Sequence, residues 1–255
     1  MSEADKLIFF DLPSADPKNL AWSPNTWKTR YVLNYKCIPY RTEWVEFPDI
    51  ADVCTKYGAP PTSTKADGSP YYTLPMIYDP KTRKAVVDSD AIARYLDETY
   101  PGTPPVFPPG TAALQTALLE TLFPSVGEPF FFVLLGRLAP ALPARSKEYF
   151  LRTREKTFGK PLDQVCVGAE REAKFEAMEK GLDKIAAWMR TNGPGKGDLL
   201  LGDKVSYVDI QIVSILIWGK IVLGESDPDW KRVASWHGGK WARMVEYYDQ
   251  WATVL

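Results

Sequence analysis

Residues 202–209 read GDKVSYVD and immediately precede a long apolar stretch. Ser206 and Asp209 have the spacing of an N-cap residue and the third helical residue, in which each side chain bonds the other residue's backbone amide. Val205 and Ile210 flank the pair as a hydrophobic staple, which fixes the direction in which the chain enters the helix. The stretch therefore predicts the defined start of a buried helix, with Ser206 and Asp209 as structural residues.

The sequence around this stretch shows only helical patterns. In the segment from Val165 to Thr191, apolar residues recur at spacings of three and four among mixed charges, as in a helix with one face on a core. An all-helical domain is therefore predicted at residues 111–255. Its other predicted helices are Thr111–Leu122, Phe130–Leu138, Ala144–Phe158, Asp229–Trp236 and Lys240–Trp251.

The first hundred residues alternate between strand-like and helix-like runs, which is typical of an α/β domain. Residues 101–110 hold five prolines and mark a linker. We therefore predict an α/β domain at 1–101, a linker at 102–110 and the helical domain beyond it. The predicted strands are Leu7–Leu12, Arg41–Phe47, Leu74–Tyr78 and Lys84–Val87; the predicted helices are Asn25–Lys36, Asp49–Tyr57 and Asp90–Tyr100; and Gly58–Pro70 is a predicted loop.

Composition excludes several classes of function. The 255 residues include 31 Lys and Arg against 32 Asp and Glu, so no basic excess exists to neutralise nucleic-acid phosphates or a membrane surface. A single histidine excludes sites that need two, and three scattered cysteines without a CxxC motif indicate neither a zinc site nor a disulfide framework. We expect no metal and no membrane segment, and a cytoplasmic protein with reduced thiols.

Three features of the first hundred residues together describe a groove for a short thiol peptide. Ser23 caps a predicted helix that begins with Pro24, where a hydroxyl and the positive end of the helix dipole can stabilise an anion. Leu74-Pro75 precedes a strand and favours a cis peptide bond, leaving the Leu74 main chain free to pair with an extended peptide. Asp88-Ser89 opens another helix, where Ser89 can hold a carboxylate and Asp88 an ammonium group. Taken singly, each feature also fits an ordinary cap or turn.

With these residues the sequence resembles the cytosolic glutathione transferases, and the resemblance covers nearly the whole chain. It rests on Leu74-Pro75 before a strand, Asp88-Ser89 before a helix and the capping motif at 202–209. Residues 23–30, SPNTWKTR, are similar to the serine-type branch of the family, and most of all to the fungal etherase-like class FuA. The resemblance implies a thioredoxin-like α/β domain with a mixed four-stranded sheet, followed by the all-helical domain.

The resemblance also implies roles for individual residues. Ser23 would be the catalytic residue that donates a hydrogen bond to the glutathione sulfur, and Asn25 a second polar contact. Leu74 would bind the cysteinyl main chain, with Pro75 as a structural residue, while Asp88 and Ser89 clamp the γ-glutamyl unit. The glycyl carboxylate is left to one of two residues, Lys56 or Lys65.

The expected activity is attack of the glutathione thiolate on a hydrophobic or aromatic electrophile, by conjugation as in detoxification or by ether cleavage. Glutathione is then a co-substrate, no cofactor is required, and the electrophile pocket is expected between the domains. A homodimer is the family habit. Two alternatives remain: a non-catalytic carrier of aromatic ligands on the same fold, and a purely structural interaction module. A serine at position 23 predicts weak thiol-transferase activity, since cysteine-type relatives perform that reaction through mixed disulfides.

Overall fold

The computed structural model describes residues 5–196 and 198–255. The chain forms two compact units. The first consists of the chain up to Pro105 with Leu142–Tyr149 and Trp251–Leu255, and the second of Val106–Ala141 with Phe150–Gln250.

The first unit is an α/β fold built on a mixed four-stranded sheet. Its elements are β1 Leu7–Asp11, α1 Pro24–Tyr35, β2 Tyr40–Trp44, α2 Ile50–Lys56, β3 Ser63–Thr64, β4 Pro70–Tyr71, β5 Met76–Asp79, β6 Lys84–Val87 and α3 Ser89–Thr99. The sheet order is β2-β1-β5-β6, with β1 parallel to β2 and the other pairs antiparallel. β3 and β4 form a separate short hairpin. The predicted mixed four-stranded sheet is confirmed.

The strand register brings three loop segments to the same end of this sheet: the segment after β1, the segment before β5 and the segment after β6. Phe10 near the end of β1 pairs with Met76 at the start of β5, and Met76 pairs with Val87 at the end of β6. Pro75 immediately precedes β5 and Asp88 immediately follows β6, so both lie beside the point where β1 ends. A parallel or antiparallel partner is fixed in register along its length, so this proximity follows from the sheet itself.

Helix α1 is fixed to the sheet by a buried ion pair. The Arg30 guanidinium donates to the Asp11 carboxylate at 2.6 Å, and both side chains are fully buried. Burial raises the pKa of the Asp11 carboxyl against the opposing effect of Arg30. Removing either partner would leave an uncompensated buried charge, which is strongly destabilising. The pair therefore holds the middle of α1 against the end of β1.

Two later segments of the chain pack within the first unit. Arg145 donates two hydrogen bonds to Asp49, at 2.8 and 2.7 Å, and Ser146 bonds Glu46. Near the C-terminus, the Asn34 side chain donates to the carbonyl oxygens of Trp251 and Thr253. These contacts explain why residues 142–149 and 251–255 belong to the first unit, although they follow the predicted linker.

The second unit is helical. The helices that follow the linker are α4 Ala112–Leu122, α5 Glu128–Leu138, α6 Ala144–Phe158, α7 Gly168–Arg190, α8 Tyr207–Leu223 and α9 Pro228–Tyr248. Helix α9 has non-helical backbone from Trp236 to Gly239, which matches the predicted break at two glycines. The predicted all-helical character is confirmed.

The capping motif has the predicted geometry. The Ser206 side chain accepts from the Asp209 backbone amide, and the Asp209 carboxylate accepts from the Ser206 amide at 3.0 Å. Asp209 also accepts from the Leu200 amide at 2.8 Å, which ties the preceding loop to the helix start. Burial raises the pKa of the Asp209 carboxyl to about 6. The motif thus sets where α8, the most deeply buried helix, begins.

Helices α4 and α5 form one long apolar helical segment with a bulge at its centre. A π-helical turn, Phe123–Gly127, joins them, so Pro124 and Pro129 do not interrupt the segment as the sequence indicated. Ala112–Ala141 is long and apolar enough to cross a membrane by length and composition alone, but 44% of its most apolar window is buried inside the fold. A helix that is apolar on most sides is also typical of a core. Here α5 packs against α7 and α8.

Two further details differ from the sequence-based expectation. The predicted loop Gly58–Pro70 contains β3 and most of the β3–β4 hairpin, in which Ser63 pairs with Tyr71 and Thr64 with Pro70. β2 ends at Trp44 rather than Phe47, because Phe47–Asp49 turns into a short 3₁₀ helix that leads into α2.

Candidate functional site

Ser23 lies at the N-cap of α1. A loop joins the end of β1 to this position and folds back on itself. The loop is closed by a bridge between Pro13 and Ala21 and by a hydrogen bond from the Ser14 amide to the Leu20 carbonyl at 2.9 Å. Ser23 is 4% exposed, and its hydroxyl makes no capping hydrogen bond to the helix. The hydroxyl and the first free amides of α1 therefore remain available to an anion.

The Leu74-Pro75 peptide bond is cis, as predicted. Leu74 is buried, and within the described residues its amide and carbonyl make no hydrogen bond to another part of the fold. β5 begins one residue after Pro75. The Leu74 main chain thus offers one donor and one acceptor at the end of the sheet where β1 ends. A free donor and a free acceptor are what an extended peptide needs for main-chain pairing.

Asp88 and Ser89 stand at the start of α3. Asp88 is the N-cap in a left-handed conformation, with φ of 76°, and its Oδ1 atom accepts from the amides of Asp90 and Ala91 at 2.9 and 3.1 Å. A non-glycine residue with positive φ is uncommon, and such residues cluster at functional sites. Ser89 is the first helical residue and is buried. Capping occupies one carboxylate oxygen of Asp88, so the other can face a cation.

Asn25 and Lys28 lie on the first turns of α1, and the two side chains contact each other. The Lys28 ammonium donates to the Asn25 side-chain oxygen at 2.9 Å. Burial lowers the pKa of Lys28 to about 8, while the Asp88 carboxylate acts in the opposite direction. Lys28 therefore contacts Asn25 and carries a charge on which Asp88 acts. Sequence patterns do not single out Lys28, because a lysine near a helix start has no signal that separates it from a solvated one.

A series of aromatic rings begins at the residue next to Ser23. Trp22, the preceding residue, is buried and meets the Phe47 ring edge-on at 6.4 Å. Phe47 in turn stacks on Tyr149 with ring centroids 6.1 Å apart and an angle of 13° between the rings. Phe47 and Tyr149 are partly exposed. All three belong to the first unit, and only the fold brings Tyr149 to the other two.

The remaining candidates are less defined. Lys56 ends α2 with its ammonium 5.4 Å from the centre of the Tyr57 ring, and Lys65 lies in the exposed turn between β3 and β4. The structure favours neither as the ligand of a glycyl carboxylate. Among the described residues, no group of three His, Cys, Asp or Glu side chains is placed to hold a metal ion.

Comparison with known families places both parts of the chain in one family. The family described as "Glutathione S-transferase, N-terminal domain" matches residues 22–99, and "Glutathione S-transferase, C-terminal domain" matches residues 113–251. A curated relative, the glutathione S-transferase-like protein ustS of Aspergillus flavus, is 35% identical over 262 residues, which cover 98% of this chain and 92% of that protein.

Solved structures of fungal proteins share the whole fold. Glutathione transferase GSTFuA3 of Phanerochaete chrysosporium is 48% identical with a TM-score of 0.93, covering 98% of both chains. A glutathione S-transferase of Ceriporiopsis subvermispora, solved in complex with glutathione, is 47% identical with a TM-score of 0.92, covering 98% of this chain and 99% of that one. These matches confirm the predicted family and fold: the chain belongs to the glutathione S-transferase family, as a transferase enzyme similar to the fungal FuA proteins.

Proposed function

We propose that the chain binds glutathione at the end of the first unit's sheet where β1 ends, and that it activates the thiol of glutathione through Ser23. The observation that carries the proposal is the buried Ser23 hydroxyl, which the helix it caps does not use. Leu74 would pair with the cysteinyl main chain, while Asp88 and Ser89 bind the ammonium and carboxylate of the γ-glutamyl unit. The solved relative that contains bound glutathione supports this assignment of the ligand. Glutathione is the co-substrate, and the reaction needs no other cofactor.

The energetic demand on the site is modest. A free thiol has a pKa of about 8.5, and the thiolate is the nucleophile. Lowering that pKa by about two units requires about 2.7 kcal/mol of preferential stabilisation of the anion. A hydroxyl donor contributes about 1.5–3 kcal/mol to a charged acceptor, and a helix N-terminus about 0.3–1 kcal/mol. The Ser23 hydroxyl and the N-terminus of α1 together can therefore supply the required stabilisation of the thiolate.

We further propose an aromatic or otherwise hydrophobic electrophile, attacked by conjugation or by ether cleavage. The support is the set of rings formed by Trp22, Phe47 and Tyr149, which begins at the residue next to Ser23. Offset stacking and edge-on contacts on such rings favour flat apolar ligands. In either reaction the thiolate sulfur forms a bond to an electrophilic carbon, and the leaving group departs with the electron pair of the broken bond.

A ligand carrier is the second candidate function. The same rings would hold an aromatic compound without turnover, and the chain would then bind such compounds but leave them unchanged. Parallel measurements of turnover and direct binding across a panel of aromatic compounds separate the two. A purely structural module would fail to bind glutathione even at millimolar concentration.

The test of Ser23 is its replacement by alanine, with chlorodinitrobenzene and an aryl ether as probe electrophiles. We expect Ser23→Ala to lower turnover at least tenfold, about 1.4 kcal/mol of lost transition-state stabilisation, with unchanged folding by circular dichroism. Thr116→Ala is a control, since its hydroxyl bonds a carbonyl within α4 of the second unit. Unchanged turnover in Ser23→Ala would reject Ser23 as the activating residue.

We also propose that the chain is a cytoplasmic homodimer. The family resemblance supports the dimer, and Leu114 on α4, which is 69% exposed, is the apolar side chain that we propose for the interface. The absence of a basic excess in the sequence supports a location away from nucleic acid and membrane surfaces.

A further inference from the structure

The side chain of Lys28 stands apart from the other lysines near the candidate site. Lys56 and Lys65 are exposed, whereas Lys28 is half-buried on α1, five residues after Ser23. A half-buried lysine loses part of its hydration, so its charge is tolerated only where the surroundings compensate for it. Two groups do so: the Asn25 side-chain oxygen at 2.9 Å and the Asp88 carboxylate, whose field favours the charged form.

The contact with Asn25 determines how that amide is presented. A lysine ammonium has donors only, so it can bond the oxygen of the Asn25 amide and not the nitrogen. With the oxygen held in this way, the two N–H groups of Asn25 are the part that remains for a ligand. An amide in this orientation donates to an anion, whereas the flipped amide would present its oxygen and repel one.

The influence of Asp88 connects Lys28 to the other end of the candidate site. Asp88 follows β6 and caps α3, and Asn25 lies on the first turn of α1. α1 and α3 pack against each other, and the Asp88 carboxylate at the start of α3 acts on the charge of Lys28 on α1. A positive charge here also adds to the positive end of the α1 dipole, and both favour the thiolate over the thiol.

We propose that Lys28 is a positioning residue of the glutathione reaction, which holds the Asn25 amide with its N–H groups toward the sulfur and balances the charge of Asp88. This inference rests on the proposed function of Ser23 and its neighbours. Lys28 need not touch the reacting atoms; it acts through Asn25 and through its charge.

The test compares Lys28→Met, Lys28→Gln and Lys28→Arg with the wild-type enzyme. The pKa of bound glutathione is read from the ultraviolet absorbance of the thiolate as pH is varied, and the KM for glutathione is read from conjugation of chlorodinitrobenzene. We expect Lys28→Met to raise the thiol pKa by about one unit, equivalent to a tenfold loss of thiolate below that pKa. We expect Lys28→Arg to restore most of it, since arginine keeps the charge and the donors.

A double-mutant cycle separates positioning from a merely structural role. If Lys28 acts partly through Asn25, the pKa effects of Lys28→Met and Asn25→Ala are less than additive, and the effect of Lys28→Met that remains in the Asn25→Ala background is the effect of the charge. Lys28→Gln removes the charge but keeps an N–H donor on a shorter side chain, so its comparison with Lys28→Met tests whether a donor alone preserves part of the effect. Lys84→Met, on an exposed lysine of the same unit, serves as the matched control.

The outcomes distinguish this inference from the function on which it rests. If wild-type protein fails to bind glutathione, the proposed function fails. If wild-type protein binds and activates glutathione but Lys28→Met leaves the thiol pKa unchanged, or the two substitutions are additive, the inference alone is wrong. A fall in melting temperature in Lys28→Met without any change in thiol pKa would indicate a structural role and contradict it as well.

Discussion

At the scale of single residues, the site depends on side chains whose hydrogen-bonding capacity the fold leaves open. Ser23 caps α1 through its carbonyl oxygen, which accepts from the Trp27 amide at 3.0 Å, while its hydroxyl is not used for capping. Asp88 caps α3 with one carboxylate oxygen. An N-cap serine ordinarily uses its side-chain oxygen to accept from a helix amide, so Ser23 departs from ordinary capping.

The residue type at position 23 also predicts which reaction is absent. A cysteine at a helix N-terminus has a lowered thiol pKa and forms mixed disulfides with glutathione. We expect Ser23→Cys to gain a glutathione adduct on incubation with glutathione disulfide, detected as an added glutathione mass on the intact protein. Because Cys37 is exposed, the experiment is done in a Cys37→Ser background, in which the protein with Ser23 should stay unmodified. Equal labelling of both proteins would contradict a reactive position at residue 23.

At the scale of elements, sequence patterns predicted the helices and strands that have strong start signals. Ser23-Pro24 and the capping motif at 202–209 begin α1 and α8 where expected. The β3–β4 hairpin was missed because Pro, Gly and Asp at residues 58–70 also signal a loop, and two-residue strands carry no periodicity. The continuity of α4 and α5 was missed because a proline normally ends a helix, whereas a π-helical turn accommodates Pro124.

The candidate site was predictable in part for the same physical reason. Ser23, Leu74-Pro75 and Asp88-Ser89 occur at element boundaries, which local sequence identifies. Lys28 and the ring of Tyr149 were not predictable, because Asp88, which acts on Lys28, and Phe47, which stacks on Tyr149, lie on other elements and only the folded chain brings them together. Local sequence does not distinguish a lysine in a charged cluster from a lysine in solvent.

The bulge between α4 and α5 gives a prediction about Gly181 on α7. A methyl group added at Gly181 would lie 2.3 Å from the Ser125 carbonyl oxygen in the π-helical turn, and backbone atoms cannot yield cheaply. We expect Gly181→Ala to lower the free energy of unfolding by about 1–3 kcal/mol, measured by urea denaturation. Gly102→Ala is the control, since no atom lies within 4 Å of the added group. Equal stability of the two variants would contradict the close approach of α7 to the turn.

At the scale of the whole molecule, each unit supplies a different property. The first unit carries the candidate glutathione site at the end of its sheet where β1 ends, and the second unit buries α8 at the centre of a helical core. The family and fold followed from motifs distributed over both, which explains why the resemblance extended over nearly the whole chain. The electrophile did not follow, since aromatic side chains serve cores and ligands alike.

The proposed homodimer gives a prediction for the intact chain. We expect light scattering to give twice the mass of one chain, and Leu114→Glu to shift the mass toward one chain, because a charge on the exposed side of α4 would be buried without a partner. Val167→Glu, at another exposed apolar residue, should leave the dimer intact. A single-chain mass for the wild-type protein would contradict the dimer.

The central claim is that the Ser23 hydroxyl stabilises the glutathione thiolate, and the pH titration of bound glutathione tests it most directly. The absorbance of the thiolate is followed with pH in the wild-type protein and in Ser23→Ala, each saturated with glutathione. The wild-type titration midpoint should lie about two units below the value of about 8.5 for a free thiol, and Ser23→Ala should raise it by at least about one unit. Identical midpoints in the two proteins, or a wild-type midpoint equal to that of free glutathione, would contradict the claim.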